Sequence, residues 1–118
     1  MNKSEKTFMD AVISKTISGK IIWNQPDKDK MRFVSKSEQY DFLLDVHIDI
    51  GKSLSLNILL NGQKITLESS IGYMDVNHDR DLYVSLNTLE LNIKEVINET
   101  VDTERTKLLK RLTTLLSN

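Results

Sequence analysis

Residues 42–67 read FLLDVHIDIGKSLSLNILLNGQKITL, and this stretch decides the fold. Phe42, Leu44, Val46, Ile48 and Ile50 take the even positions, and Leu43, Asp45, His47 and Asp49 the odd ones. Successive side chains of a strand point to opposite faces, so the alternation predicts a strand with one buried side. Leu54, Leu56, Ile58 and Leu60 repeat the even pattern. Asn61-Gly62 follows, a pair suited to a type I′ hairpin, whose two central residues need positive φ. That turn predicts Leu60 opposite Gln63, Ile58 opposite Ile65 and Leu56 opposite Leu67. A turn at Gly51-Lys52-Ser53 predicts Ile50 opposite Leu54, Ile48 opposite Leu56 and Val46 opposite Ile58. Both registers gather the apolar side chains on one face, and a one-residue slip would turn them to the other.

Outward from this meander, both ends of the chain have helical spacing. Ser4 is the expected N-cap of a first helix, with Glu5 in the first turn, where the helix dipole favours negative charge. Phe8, Met9, Val12, Ile13, Thr16 and Ile17 form one stripe, and Gly19 sits where a left-handed residue would end the helix. A strand is expected over Lys20-Ile21-Ile22-Trp23, a loop over 24–30 around Pro26, and a further strand over 31–34 with Met31 and Phe33 on one side. Residues 70–81 are polar and read as a loop. Leu82, Val84 and Leu86 alternate and predict a last strand. Leu89, Ile93, Val96 and Ile97, then Leu108, Leu109, Leu112, Leu115 and Leu116, are spaced as helix. Glu104 and Arg105 interrupt the stripe, so two segments are expected, the second capped by Asp102 or Thr103. The fold class is α+β: an N-terminal helix, an antiparallel meander of four to six strands, and C-terminal helices on one face, all in one domain over 1–118.

Composition narrows the function. The chain has 118 residues, enough for one core-forming domain. Its net charge of −1 provides no global attraction for nucleic acid or an anionic membrane. The absence of cysteine removes disulfides, thiolate catalysis and cysteine metal sites. No apolar run is long enough to span a bilayer, and the N-terminal stretch lacks an apolar signal core, so a cytoplasmic location is expected. Ala11 is the only alanine, while lysine, asparagine and isoleucine abound. That usage follows AT-rich codons and points to an AT-rich bacterium, its phages or its plasmids.

Phe8, Thr16, Ser18-Gly19-Lys20-Ile21 and Trp23 describe an amphipathic helix, a glycine stop and a strand carrying a tryptophan. This opening resembles a loose group of small proteins of low-GC Gram-positive bacteria and their mobile elements. The resemblance covers about the first fifth of the chain. It implies the general plan of helix, sheet and C-terminal helix, and that source. It implies no activity.

Chemistry-bearing patterns are few. Asp75, Asn77, Asp79 and Asp81 alternate like the start of a calcium loop. Position six of that loop would be Arg80 instead of glycine, and position twelve Leu86 instead of glutamate. A polar loop whose Asp and Asn side chains bond their own backbone accounts for the pattern better. Asp45, His47 and Asp49 share the odd face of one strand, but extended i, i+2 side chains diverge instead of converging on one ion. No nucleophile elbow, phosphate-binding glycine loop or paired catalytic histidine is present. Arg105, Lys107, Lys110 and Arg111 make the last helix basic. Asp102 and Glu104 sit beside them, and no aromatic residues interleave to stack bases.

Elimination leaves protein recognition. Leu43 and Leu59 lie on the odd sheet face amid Asp45, His47, Asp49, Lys64 and Glu68, an apolar centre with a charged border. The expected function is a non-enzymatic protein-binding module without cofactor or metal. Its concrete form is an inhibitor or accessory protein of a phage or mobile element, of anti-defence or immunity type. The alternatives are a small metal- or ligand-dependent enzyme or sensor, and nucleic-acid binding through the last helix. Exposed edge strands leave a homo-oligomer open.

Overall fold

The computed structural model describes residues 1–72 and 79–117, leaving aside the side chains of 100–102. Helix α1 spans Lys3–Ile17, followed by strands β1 (Arg32–Lys36), β2 (Tyr40–Ile48), β3 (Lys52–Leu60) and β4 (Gln63–Ile71), and helix α2 (Arg80–Leu116). The strands form one antiparallel sheet in the order β1-β2-β3-β4. Both helices pack on the same face of it, giving a two-layer α+β sandwich.

The cap of α1 is Asn2, two residues before the expected Ser4. Its side chain accepts from Glu5 N–H at 2.8 Å, and Glu5 accepts from Asn2 N–H at 3.2 Å, a reciprocal capping box. At the other end Gly19 has φ 77°, and Lys20 N–H reaches back to Lys15 O at 2.9 Å, closing the helix as a Schellman motif. Met9, Val12 and Thr16 are buried. Thr16 belongs there because its hydroxyl donates to Val12 O at 2.8 Å and accepts from Trp23 Nε1 at 2.9 Å. Trp23 also stacks on Phe42, their ring centroids 6.0 Å apart. The segment around Trp23 is not the expected strand. Its chain is occupied by this anchoring, and only Asn24 pairs, through an isolated bridge to Val34.

The β3–β4 hairpin has the predicted register, with Leu60 opposite Gln63 and Leu56 opposite Leu67. Asn61 and Gly62 have φ 50° and 80°, as a type I′ turn requires. The β2–β3 register differs from expectation. Val46 lies opposite Leu54, Leu44 opposite Leu56 and Phe42 opposite Ile58. The shift is by an even number of residues, so every side chain stays on its predicted face. The connection is Asp49 to Gly51, where the backbone crosses the end of β4. A Cβ on Gly51 would collide with Ile71 O and stand 3.0 Å from the Gly72 carbonyl carbon.

Residues 82–86 are not a strand. Asp79 caps α2, its carboxylate accepting from Leu82 N–H at 3.0 Å, and the helix runs from Arg80. Leu82 and Leu86 satisfy both a two-residue alternation and an i, i+4 spacing. Leu89 and Ile93 extend the helical one, and all four are buried, whereas Val84 is exposed. Nor does α2 divide in two. It is one helix of 37 residues. Thr103 caps nothing; its hydroxyl donates to Glu99 O at 2.9 Å, one turn back in a continuing helix.

The core lies between the helices and the even face: Phe33, Phe42, Leu44, Leu54, Leu56 and Leu67 from the sheet meet Met9, Leu82, Leu86 and Ile93. The cover is incomplete at the ends of the sheet, where Ile48, Ile50, Leu60 and Ile65 are exposed. Among the described residues, no helix is long and apolar enough to cross a membrane.

Candidate functional site

With both helices on the even face, no element among the described residues covers the odd face of the sheet, as antiparallel sheets allow. Cross-strand pairing arranges it in rows. Lys36, Asp41, Leu59 and Lys64 stand side by side across the four strands; the next row is Val34, Leu43, Asn57 and Thr66, and the next Arg32, Asp45, Ser55 and Glu68. The first two rows form a shallow depression of about 470 Å³, with Arg32 at its border. Val34 and Leu43 are half-buried at its centre, and Leu59 is 45% exposed beside them. Asp41, Lys36 and Lys64 flank one side. On the other, Arg32 and Asp45 form a surface ion pair at 3.3 Å. Thr66 lies beside the depression and donates to Asn57, one of its lining residues, at 2.9 Å.

The structure therefore brings together Leu43, Leu59 and Lys64, with Asp45 and Glu68 one row further on. His47 stands another row away, opposite Ser53 and exposed. Asp49 leaves the face altogether: it sits in the turn after β2, its N–H donating to Gly51 O at 2.8 Å. Asp45 is committed to Arg32, so the Asp45, His47 and Asp49 trio does not converge. Among the described residues, no group of three histidine, aspartate or glutamate side chains is placed to hold a metal ion. Asp75, Val76, Asn77 and His78 of the calcium-like pattern lie outside the described residues. Asp79 is a helix cap, and the Met1 amine pairs with its second oxygen. This contact holds the Asp79 carboxyl below the usual carboxylate range and raises the amine. Asp81 occupies the first turn of α2, where its charge favours the helix dipole.

Arg32, Val34, Lys36 and Asp41 were not singled out by sequence reasoning. The signal was available: pairing β1 with β2 puts Val34 against Leu43. Glu90 was also missed. It is fully buried in α2, and the Lys52 ammonium reaches it at 2.5 Å. Leu86, Glu90, Ile93 and Ile97 share an i, i+4, i+7, i+11 spacing, which marks Glu90 as a residue of the packed face.

The chain matches no family model, no curated protein and no solved structure. What defines it is its own geometry: a four-stranded antiparallel sheet covered by two helices on one side and, among the described residues, uncovered on the other.

Proposed function

We propose that this protein is a non-enzymatic binding module that docks another protein on the open face of its sheet. The observation that carries this reading is the depression between β1 and β4. Its centre of Val34, Leu43 and Leu59 is apolar, and its border carries both signs of charge in Arg32, Asp45, Lys36, Asp41 and Lys64. Interfaces concentrate affinity in such an apolar centre and orient partners through a charged border. His47 and Glu68 extend the border, and Asp49, in the turn after β2, has no part in it. The resemblance of the first fifth of the chain, together with its residue usage, supports a phage or mobile-element source. An inhibitor or accessory protein of a defence or toxin system, working in the cytoplasm, is the form of binding module that fits such a source.

The test is retention of a defined partner from a lysate of the source host by the immobilised protein. The Leu43→Arg/Leu59→Arg variant should lose that partner while its circular dichroism and melting temperature stay unchanged. Retention by the variant, or turnover of a substrate without a partner, rejects the reading.

A further inference from the structure

Helix α2 is about 55 Å long at 1.5 Å per residue, and the molecule measures 65 Å along its longest axis against 35 and 21 Å across the others. Only the first half of the helix is packed. Both helices start at the same end, where the Met1 amine meets Asp79, and α1 stops near the level of Val96 and Ile97. Among the described residues Ile93 is the last buried one of α2, and every residue from 103 to 117 is exposed. Yet this free half carries an apolar stripe: Leu108, Leu109, Leu112, Leu115 and Leu116 lie on one side of the helix, from 45% to 86% exposed. Most helical stability in proteins comes from packing an apolar face, so the stripe calls for a partner.

We infer that the partner is a second copy of this chain, its free half of α2 paired antiparallel with the first. Three features of the chain select this occupant. Glu104 and Arg111 lie on the same border of the stripe, and like borders meet in an antiparallel pair. A two-fold axis between Lys107 and Leu108 sets each Glu104 against the other copy's Arg111. That axis lies within residues 103–117, every one of them exposed, so each copy brings free helix to the pair. A parallel pair would instead stack Arg105, which lies within the stripe, on its own copy.

The antiparallel overlap also ends at a receptive place. It carries Leu115 and Leu116 of one copy to the level of residues 99 and 100 of the other. A depression of about 490 Å³ lies there at the base of the free helix, lined by Ile21, Ile22, Trp23 and Ile97 among others. Ile22 is 72% exposed beside it. Ile97 lies on the same side of the helix as Leu108 and Leu115, so Leu115 of one copy and Ile97 of the other face the same seam. The inference stands apart from the docking face, which is on the other side of the sheet from the helices.

The test is the mass of the full chain in solution by sedimentation equilibrium. A dimer is expected, and Leu112→Asp/Leu115→Asp should be monomeric while still unfolding in one cooperative transition. Glu104→Arg should weaken the dimer roughly tenfold, and adding Arg111→Glu to it should restore affinity. Because the chain has no cysteine, Leu108→Cys and Leu115→Cys report orientation. Disulfide capture at 108 but not at 115 is the antiparallel result, and capture at both positions overturns it. A wild-type chain that stays monomeric up to its solubility limit overturns the inference. So does one whose free helix instead binds nucleic acid, with salt-sensitive affinity lost on changing Lys107, Lys110 and Arg111.

Discussion

Lys52 Nζ lies 2.5 Å from Glu90 Oε1 and 2.7 Å from Asn87 Oδ1, tying the first residue of β3 to the packed half of α2. Glu90 is fully buried. Its second oxygen is 3.1 Å from Lys94 Nζ but outside hydrogen-bonding direction, so charge alone holds it there. Replacing Lys52 by methionine leaves a buried carboxylate short of its main partner. Lys52→Met should cost about 3–5 kcal/mol, the usual penalty for breaking a buried pair from one side. Lys52→Met/Glu90→Met should be more stable than Lys52→Met alone. Urea midpoints at unchanged slope provide the measurement.

Thr16 is the hydrogen-bond acceptor of the buried Trp23 indole. Thr16→Val keeps the shape and removes the acceptor. It should cost about 1–3 kcal/mol, the desolvation penalty of an unsatisfied buried donor. Thr16→Ser should recover most of that, as thermal unfolding followed by tryptophan fluorescence will show.

The close approach of Gly51 to Ile71 and Gly72 fixes where β2 turns into β3. Gly51→Ala forces the two backbone segments apart and should destabilise by about 1–3 kcal/mol. Amide exchange should quicken first at residues 48–52 and 70–72, where the two segments meet.

The Met1 amine and Asp79 predict two limbs in a stability profile against pH. The amine is raised above its ordinary value of 8.0, chiefly by the hydrogen bond to Asp79. Its contribution is therefore complete below 8.0 and lost as pH climbs through the raised value. Asp79 is lowered from 3.8, chiefly by that same amine. Its contribution is complete above 3.8 and lost as pH falls through the depressed value. Asp79→Asn keeps a capping side chain but removes the charge, so the alkaline limb attributable to Met1 should disappear in melting curves recorded against pH.

Calcium should leave the melting temperature unchanged. Both oxygens of Asp79 are engaged, one with Leu82 N–H and the other with the Met1 amine. A ligand bound specifically to the folded state would raise the midpoint by mass action. A rise that is lost in Asp81→Asn would restore the cation-binding reading of this stretch.

Much of the sheet was legible in residues 42–67, because a period of two is local and strict. The even positions that alternate as Phe42, Leu44 and Val46 are the ones buried, and Asn61-Gly62 makes the turn its φ angles demand. The same period explains the error between β2 and β3: an even slip leaves every face intact, so alternation cannot distinguish the two registers. The candidate face was half legible. Leu43, Leu59 and Lys64 follow from alternation, whereas Val34 and Arg32 enter only through the β1–β2 pairing.

The sequence by itself determined which side chains share a face, where the hairpin turns, and that helices flank the sheet. These follow from backbone geometry over a few residues. Tertiary structure decided the rest. It set the β2–β3 register, where Gly51 meets Gly72 across 21 residues of chain. It turned Leu82 to Leu86 into helix, because a helix can lay Leu82, Leu86, Leu89 and Ile93 together on the sheet. It placed Glu90 within reach of Lys52, which no local pattern brings near. It also explains the apparent break at Glu104 and Arg105. The packed stripe and the free stripe lie roughly a quarter turn apart on one continuous helix, since the first half faces the sheet and the second has left it behind.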